Sequence, residues 1–167
     1  CRMCFTEEDL LYTLGQLVTV LEYRKGRLAE TGCKDLDTYN EVTGESLHRI
    51  VFACDEVAEM LDKTGRSKES KEVLAQIENK LATLSRLGRA FGIHLILATQ
   101  RPDANILPGQ IKNNLDFRVC GRADNVLSQI ILDNTSAAVQ IPKDARGRFI
   151  TGDGTVFQGY LFDEKQL

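Results

Sequence analysis

Residues 50–56 read Ile-Val-Phe-Ala-Cys-Asp-Glu, an apolar run that ends at two adjacent carboxylates. A second apolar run, Ile-His-Leu-Ile-Leu-Ala at 93–98, ends at Thr-Gln-Arg-Pro, residues 99–102. Apolar runs of this length are typical of buried strands in a parallel sheet. Because the carboxyl ends of parallel strands meet at one edge of the sheet, the pattern predicts that the carboxylates and Gln100 lie close together. Such an arrangement suits nucleoside triphosphate hydrolysis.

Helical and strand-like segments alternate on either side of these runs. Thr6 predicts a helix start and Gly32 a helix end, with leucines at helical spacing between them. The predicted elements are helices at 7–30, 67–91 and 125–133, a short helix after Pro108, and strands at 48–54, 93–98 and 116–121. The alternation predicts an α/β fold, a parallel sheet with helices on its faces.

The final segment has a different pattern. Asp153-Gly154 separates two strand-like runs, 147–152 and 155–162, and this dipeptide is a strong signal for a β-hairpin. Without a linker or a low-complexity segment, the sequence predicts one domain over residues 1–167.

Composition excludes several classes of protein. A net charge of −3 does not fit a strongly basic nucleic-acid module, and no apolar run approaches the ~20 residues that span a bilayer. The five cysteines lack metal-site spacing beyond Cys1-x-x-Cys4, which favours free thiols in a reducing compartment. The chain does not begin with Met, so we expect it to be a fragment of a longer protein.

The residues at the strand ends carry candidate chemistry. Asp55 is suited to hold Mg²⁺ through the ion's water shell, and Glu56 to orient the water that attacks a terminal phosphate. From the residues alone, a helix cap explains Asp55-Glu56 equally well. Gln100 is suited to hydrogen-bond both that water and the phosphate. Arg101 would direct a cation at the phosphate or at a neighbouring subunit.

The phosphate-binding loop of nucleotide hydrolases, Gly-x-x-x-x-Gly-Lys-Ser/Thr, is absent from the 167 residues. The nearest stretch, residues 26–34, has the wrong spacing and lies at the end of a predicted helix. Either the nucleotide interpretation is wrong or the loop lies upstream of this chain.

Together these motifs resemble the motor domain of the FtsK/SpoIIIE-type DNA translocases, particularly the coupling proteins of conjugative transfer. The resemblance is strongest over residues 49–56 and 90–102, continues through 111–114, and includes closing-hairpin segments at 147–149 and 157–159. It implies the C-terminal part of a RecA-like P-loop NTPase domain that lacks the strand preceding the phosphate loop.

The resemblance also implies roles for individual residues. Asp55 and Glu56 stand at the acidic-strand (Walker B) positions, Gln100 at the sensor position, and Arg24 at a family arginine that reaches a neighbour's nucleotide. The implied cofactors are ATP and Mg²⁺. The implied partners are double-stranded DNA, further copies in a hexameric ring, and a relaxase or other transfer protein. The implied location is the cytoplasmic domain of a membrane-associated protein.

Two alternatives remain open at this stage. An ATPase of specialised protein secretion shares the fold and the acidic strand, and a degenerate, non-catalytic motor domain would serve as a ring scaffold. DNA contacts would come from either of two basic groups: Arg66, Lys68 and Lys71, or Lys112, Arg118 and Arg122.

Overall fold

A computed structural model describes residues 3–100 and 107–161. These residues form two compact units, 3–100 with 107–114, and 115–161. The first contains α1 (Glu7–Thr31), α2 (Leu36–Thr43), β1 (Ile50–Cys54), α3 (Val57–Leu61), α4 (Lys68–Leu87), β2 (Ile93–Leu97) and α5 (Gly109–Lys112). The second contains β3 (Val119–Cys120), α6 (Asn125–Leu132), α7 (Ser136–Gln140), β4 (Arg148–Thr151) and β5 (Val156–Gln158). That residues 1–167 form one domain remains a prediction.

Helix α1 has the ends that its sequence predicts. The Thr6 hydroxyl accepts a hydrogen bond from the Asp9 N–H at 3.1 Å, and acidic residues fill the first turn, where the helix dipole favours them. At the other end Gly32 adopts a left-handed conformation, with φ at 67°. The N–H of Gly32 donates a hydrogen bond to the Ala29 carbonyl, and the N–H of Cys33 donates to the Leu28 carbonyl. These bonds end the helix at this point.

The core of the first unit lies between α1 and α4. Apolar side chains recur every three or four residues on both helices, so each helix has one apolar face. The buried residues on those faces include Leu14, Leu21, Leu28, Leu74, Ile77, Leu81 and Leu84. The predicted helical faces are confirmed.

Helix α4 continues as a 3₁₀ turn, Gly88–Phe91, that leads directly into β2. A Cβ atom at Gly88 would lie 2.7 Å from the backbone oxygen of Ile93, closer than a real Cβ approaches. Glycine therefore lets the end of the helix pack against the first residue of the strand.

Strands β1 and β2 pair in parallel, with Ile50 opposite Ile93 and Cys54 opposite Leu97. The parallel pairing predicted for these two runs is confirmed. The expectation that both strands are buried is wrong for the described residues, because Val51 and Ile96 are 59% and 58% exposed. On the face opposite Ile93, Val51, Ala53 and Ile96 are exposed, whereas His94 on the same face is partly buried.

The second unit contains an antiparallel sheet in the order β3-β4-β5. The run at 116–121 was expected to extend the parallel sheet, and this is wrong: only Val119 and Cys120 form a strand, opposite Thr151 and Ile150 of β4. The predicted hairpin is present, although the Asp-Gly pair occupies a longer turn in which Gly154 has a φ of 90°. The core contains Cys120, Ala123, Leu132, Ala137, Ile141 and Ile150.

Candidate functional site

The carboxyl ends of β1 and β2 are joined by backbone hydrogen bonds that continue beyond the strands. The Ala98 N–H donates to the Cys54 carbonyl, and the Val57 N–H donates to the Ala98 carbonyl, each at 2.8 Å. These bonds hold the segment between β1 and α3 against the end of β2. We call this edge of the sheet, residues 55–56 and 99–100, the carboxyl edge.

Glu56 lies at the centre of the carboxyl edge. The Thr99 hydroxyl donates a hydrogen bond to Glu56 Oε1 at 2.5 Å, and the backbone N–H of Gln100 donates to Glu56 Oε2 at 2.8 Å. The structure therefore brings together Glu56 and Gln100, which are 44 residues apart in sequence. Both carboxylate oxygens have a donor from the neighbouring strand, so the plane of the carboxylate is held in one orientation.

The position of Asp55 differs from that of Glu56. Asp55 is exposed at the carboxyl edge, while Glu56 is partly buried beside it. Mg²⁺ keeps several of its waters and takes few protein ligands, so one accessible carboxylate at this edge fits a water-mediated contact. Among the described residues, no group of three or more His, Cys, Asp or Glu side chains could hold a metal ion directly.

The Gln100 side chain is also exposed at the carboxyl edge. An exposed amide beside a held carboxylate is accessible to a ligand that approaches this edge. Arg101, the second predicted phosphate contact on this segment, lies outside the described residues.

Thr99 was not singled out as a site residue in the sequence. A hydroxyl between an apolar strand and Gln100 is a weak signal, because threonine is common at strand ends. Its contact with Glu56 spans 43 residues and became visible only with the pairing of β1 and β2.

Arg24 lies at the opposite edge of the same sheet. Its guanidinium donates to the carbonyl of Phe91 at 2.6 Å and to that of His48 at 2.7 Å, just before β2 and β1 begin. Five-residue strands separate the two edges by roughly 15 Å, so Arg24 is not part of the Glu56 site within this chain. Burial lowers the pKa of Arg24, but arginine stays protonated at neutral pH. Its role at a neighbour's nucleotide remains a prediction.

Several residues considered for DNA contact make contacts inside the chain. Arg66 pairs with Glu7 at 2.8 Å. Arg118 pairs with Asp133 at 2.5 Å, and Arg122 donates to the carbonyl of Ile141 at 2.6 Å. These three guanidinium groups therefore stabilise contacts within the chain.

The parallel strand pair, its covering helices and the polar residues at its carboxyl edge agree with the fold of P-loop ATPase motor domains. This chain is 32% identical over 134 residues to the Treponema pallidum (strain Nichols) protein named DNA translocase FtsK. The aligned segment covers 76% of this chain and 16% of that protein. The chain is thus a homologue of part of the FtsK-type DNA translocases, which confirms the resemblance seen in its sequence. No family model matches it.

Two solved structures extend the comparison. The pCW3 conjugation coupling protein TcpA, in its monomer form with ATPγS, is 39% identical over 96% of this chain and 46% of its own, with a TM-score of 0.89. The cytoplasmic domain of the Thermomonospora curvata type VII secretion ATPase EccC is 22% identical over 89% of this chain and 16% of its own, with a TM-score of 0.61. The first likeness supports a P-loop ATPase motor domain, and the second shows the shared fold. The chain spans under a fifth of the FtsK relative and under half of TcpA.

Proposed function

We propose that this chain forms the water- and metal-handling part of an ATP-driven motor that moves double-stranded DNA, as in conjugative transfer or chromosome segregation. The observation that carries the proposal is the held carboxylate of Glu56, with Asp55 and Gln100 beside it at the carboxyl edge. The homology to FtsK-type translocases and to a coupling protein solved with ATPγS supports ATP as the nucleotide and DNA as the substrate.

The roles follow from the chemistry of each group. When Mg²⁺ and ATP are bound, the ion neutralises charge on the phosphates. Asp55 would hold the waters around that ion, since its carboxylate is exposed at the edge. Glu56 would accept a hydrogen bond from the attacking water, and the Gln100 amide would bond the same water and the terminal phosphate. Because the 167 residues contain no phosphate-binding loop, the phosphates would be held by sequence outside them.

Other parts of the proposal concern the complete protein. Assembly into a hexameric ring, a relaxase partner and attachment to a membrane agree with the family resemblance and remain predictions. Among the described helices, none has the length and apolar character needed for a membrane span.

Glu56→Gln in the complete protein tests the proposal. The amide preserves the shape of the side chain but removes the basic oxygen, so DNA-stimulated phosphate release should fall by about 100-fold or more, as for other acid–base groups. Binding of a fluorescent ATP analogue should stay within about threefold of the wild type. Glu59→Gln on α3 is the matched control, and its turnover should equal that of the wild type.

Three results would decide against the proposal. Unchanged turnover in Glu56→Gln would remove the assigned role of Glu56, and no ATP turnover in the wild type would favour the ring scaffold. Stimulation of turnover by the C-terminal tail of a secreted protein, and not by double-stranded DNA, would favour the secretion ATPase.

A further inference from the structure

Thr99 contacts the carboxylate that the proposed function assigns to the attacking water. Its hydroxyl donates to Glu56 Oε1 at 2.5 Å from a partly buried position. We propose that Thr99 is a positioning residue, which sets the orientation of the Glu56 carboxylate for ATP hydrolysis. This inference rests on the proposed function.

The backbone around Glu56 is held on both sides. The Cys54 carbonyl accepts from Ala98, and the Val57 N–H donates back to Ala98, each at 2.8 Å. The side-chain torsions of Glu56 are then its remaining freedom, and the bonds from Thr99 and Gln100 act on those torsions. Immobilising a flexible glutamate before the reaction is the kind of positioning that contributes to catalysis.

The two contacts fall on different oxygens of the Glu56 carboxylate. An ionised carboxylate has about four lone-pair sites on its two oxygens. Thr99 and the Gln100 N–H each use one of them, on different oxygens. The contacts from the segment after β2 therefore hold both oxygens of Glu56.

The bond from the Gln100 N–H joins two predicted functions. The backbone of Gln100 is attached to the carboxylate of Glu56, and the side chain of the same residue is exposed at the carboxyl edge. A displacement of Gln100 by a phosphate would therefore also displace the carboxylate, unless Thr99 held the other oxygen. Thr99 thus limits how far the carboxylate turns when Gln100 moves.

A simple strand-end cap is the competing explanation. In that case Glu56 only accepts hydrogen bonds from the Thr99 hydroxyl and the Gln100 N–H just after β2. Loss of the Thr99 hydroxyl would then lower stability without a specific effect on turnover. A positioning role predicts instead that kcat falls while ATP binding is kept, because the hydroxyl acts on Glu56 and not on the nucleotide.

The experiment compares Thr99→Val and Thr99→Ser in the complete protein. Thr99→Val should lower kcat by about 10- to 100-fold, the range expected for one hydrogen bond to a charged group. KM for ATP should stay within about threefold. Thr99→Ser, which keeps the hydroxyl, should retain most of the turnover. Thr83→Val, which removes a hydroxyl that bonds the Asn79 carbonyl on α4, is the matched control and should be unchanged.

Glu56→Gln, measured alongside, separates this inference from the proposed function. If Glu56→Gln turns over normally, both fail. If Glu56→Gln is inactive while Thr99→Val keeps or increases the wild-type kcat, the proposed function stands and the positioning role is refuted. Equal losses in Thr99→Val and Thr99→Ser would also refute it. The double variant Thr99→Val/Glu56→Gln should turn over ATP no more slowly than Glu56→Gln alone. If Thr99→Val does not fold, Thr99→Ala is used in its place.

Discussion

Arg24→Met tests whether the buried guanidinium joins α1 to the residues just before the two parallel strands. Arg24 is 6% exposed and donates to the carbonyls of Phe91 and His48. Methionine has a similar length and apolar stem but offers no donor. The two carbonyls would then lose their hydrogen-bond donor. In the wild type, these two bonds connect α1 with residues that lie 67 and 24 positions further along the chain.

The expected cost follows from the number of orphaned groups. Both hydrogen bonds are partly buried and have a charged donor, and each such bond contributes about 1.5–3 kcal/mol, so the free energy of unfolding should fall by about 3 kcal/mol. For a chain of this size, that corresponds to a decrease of roughly 10 °C in Tm. Arg24→Lys should give an intermediate decrease, because a single ammonium reaches two divergent carbonyls less well than the planar guanidinium does.

The assay is thermal unfolding followed by circular dichroism, with ATP turnover of the complete protein measured below the transition. Arg27→Met, one turn further along α1, is the matched control. Arg27 pairs with Glu45 at 2.5 Å on an exposed surface, and its loss should leave Tm nearly unchanged. If Arg24→Met unfolds at the same temperature as Arg27→Met, the reasoning is refuted. Loss of ATP turnover at unchanged Tm would instead support the predicted contact with a neighbour's nucleotide.

Two further predictions concern stability. Gly88→Ala should destabilise the protein by about 1–3 kcal/mol, because its Cβ would meet a backbone oxygen at 2.7 Å. At Gly26 in α1 an added Cβ would meet no atom within 4 Å outside the neighbouring helix backbone, so Gly26→Ala should instead stabilise the protein by about 1 kcal/mol. Urea unfolding of both variants checks the opposite signs. The pKa of Asp35 is lowered, first by the backbone N–H of Thr38 and then by its hydroxyl. The stability it contributes is therefore fully present above about pH 4 and lost as the pH falls through the lowered native pKa, so the Tm difference between wild type and Asp35→Asn should shrink in acid.

Much of the local structure could be predicted because its causes are local. The ends of α1 follow from Thr6 and Gly32, which act within one turn of the helix. Leucine spacing identified the buried faces of α1 and α4. The end of β1 at Cys54 follows from the change to polar residues at Asp55, and β2 ends at Leu97, one residue before its predicted end.

Other features could not be predicted because they depend on contacts between distant residues. The short strand β3 contains apolar residues like those of β1, yet its partner is β4 in the second unit. Nothing near Val119 in sequence distinguishes these pairings. The exposed face of β1 and β2 was likewise unexpected, because an apolar strand sequence does not say how many of its faces other elements will cover.

The candidate site shows the same division. The sequence alone determined which groups arrive at the carboxyl edge, because residues 55–56 and Gln100 directly follow two strands. The tertiary structure alone decided that Thr99 and the Gln100 backbone hold Glu56, and that Arg24 joins the opposite edge. The physical reason is range: caps and periodicity act over a few residues, whereas these hydrogen bonds form only after folding brings residues 24 to 67 positions apart into contact.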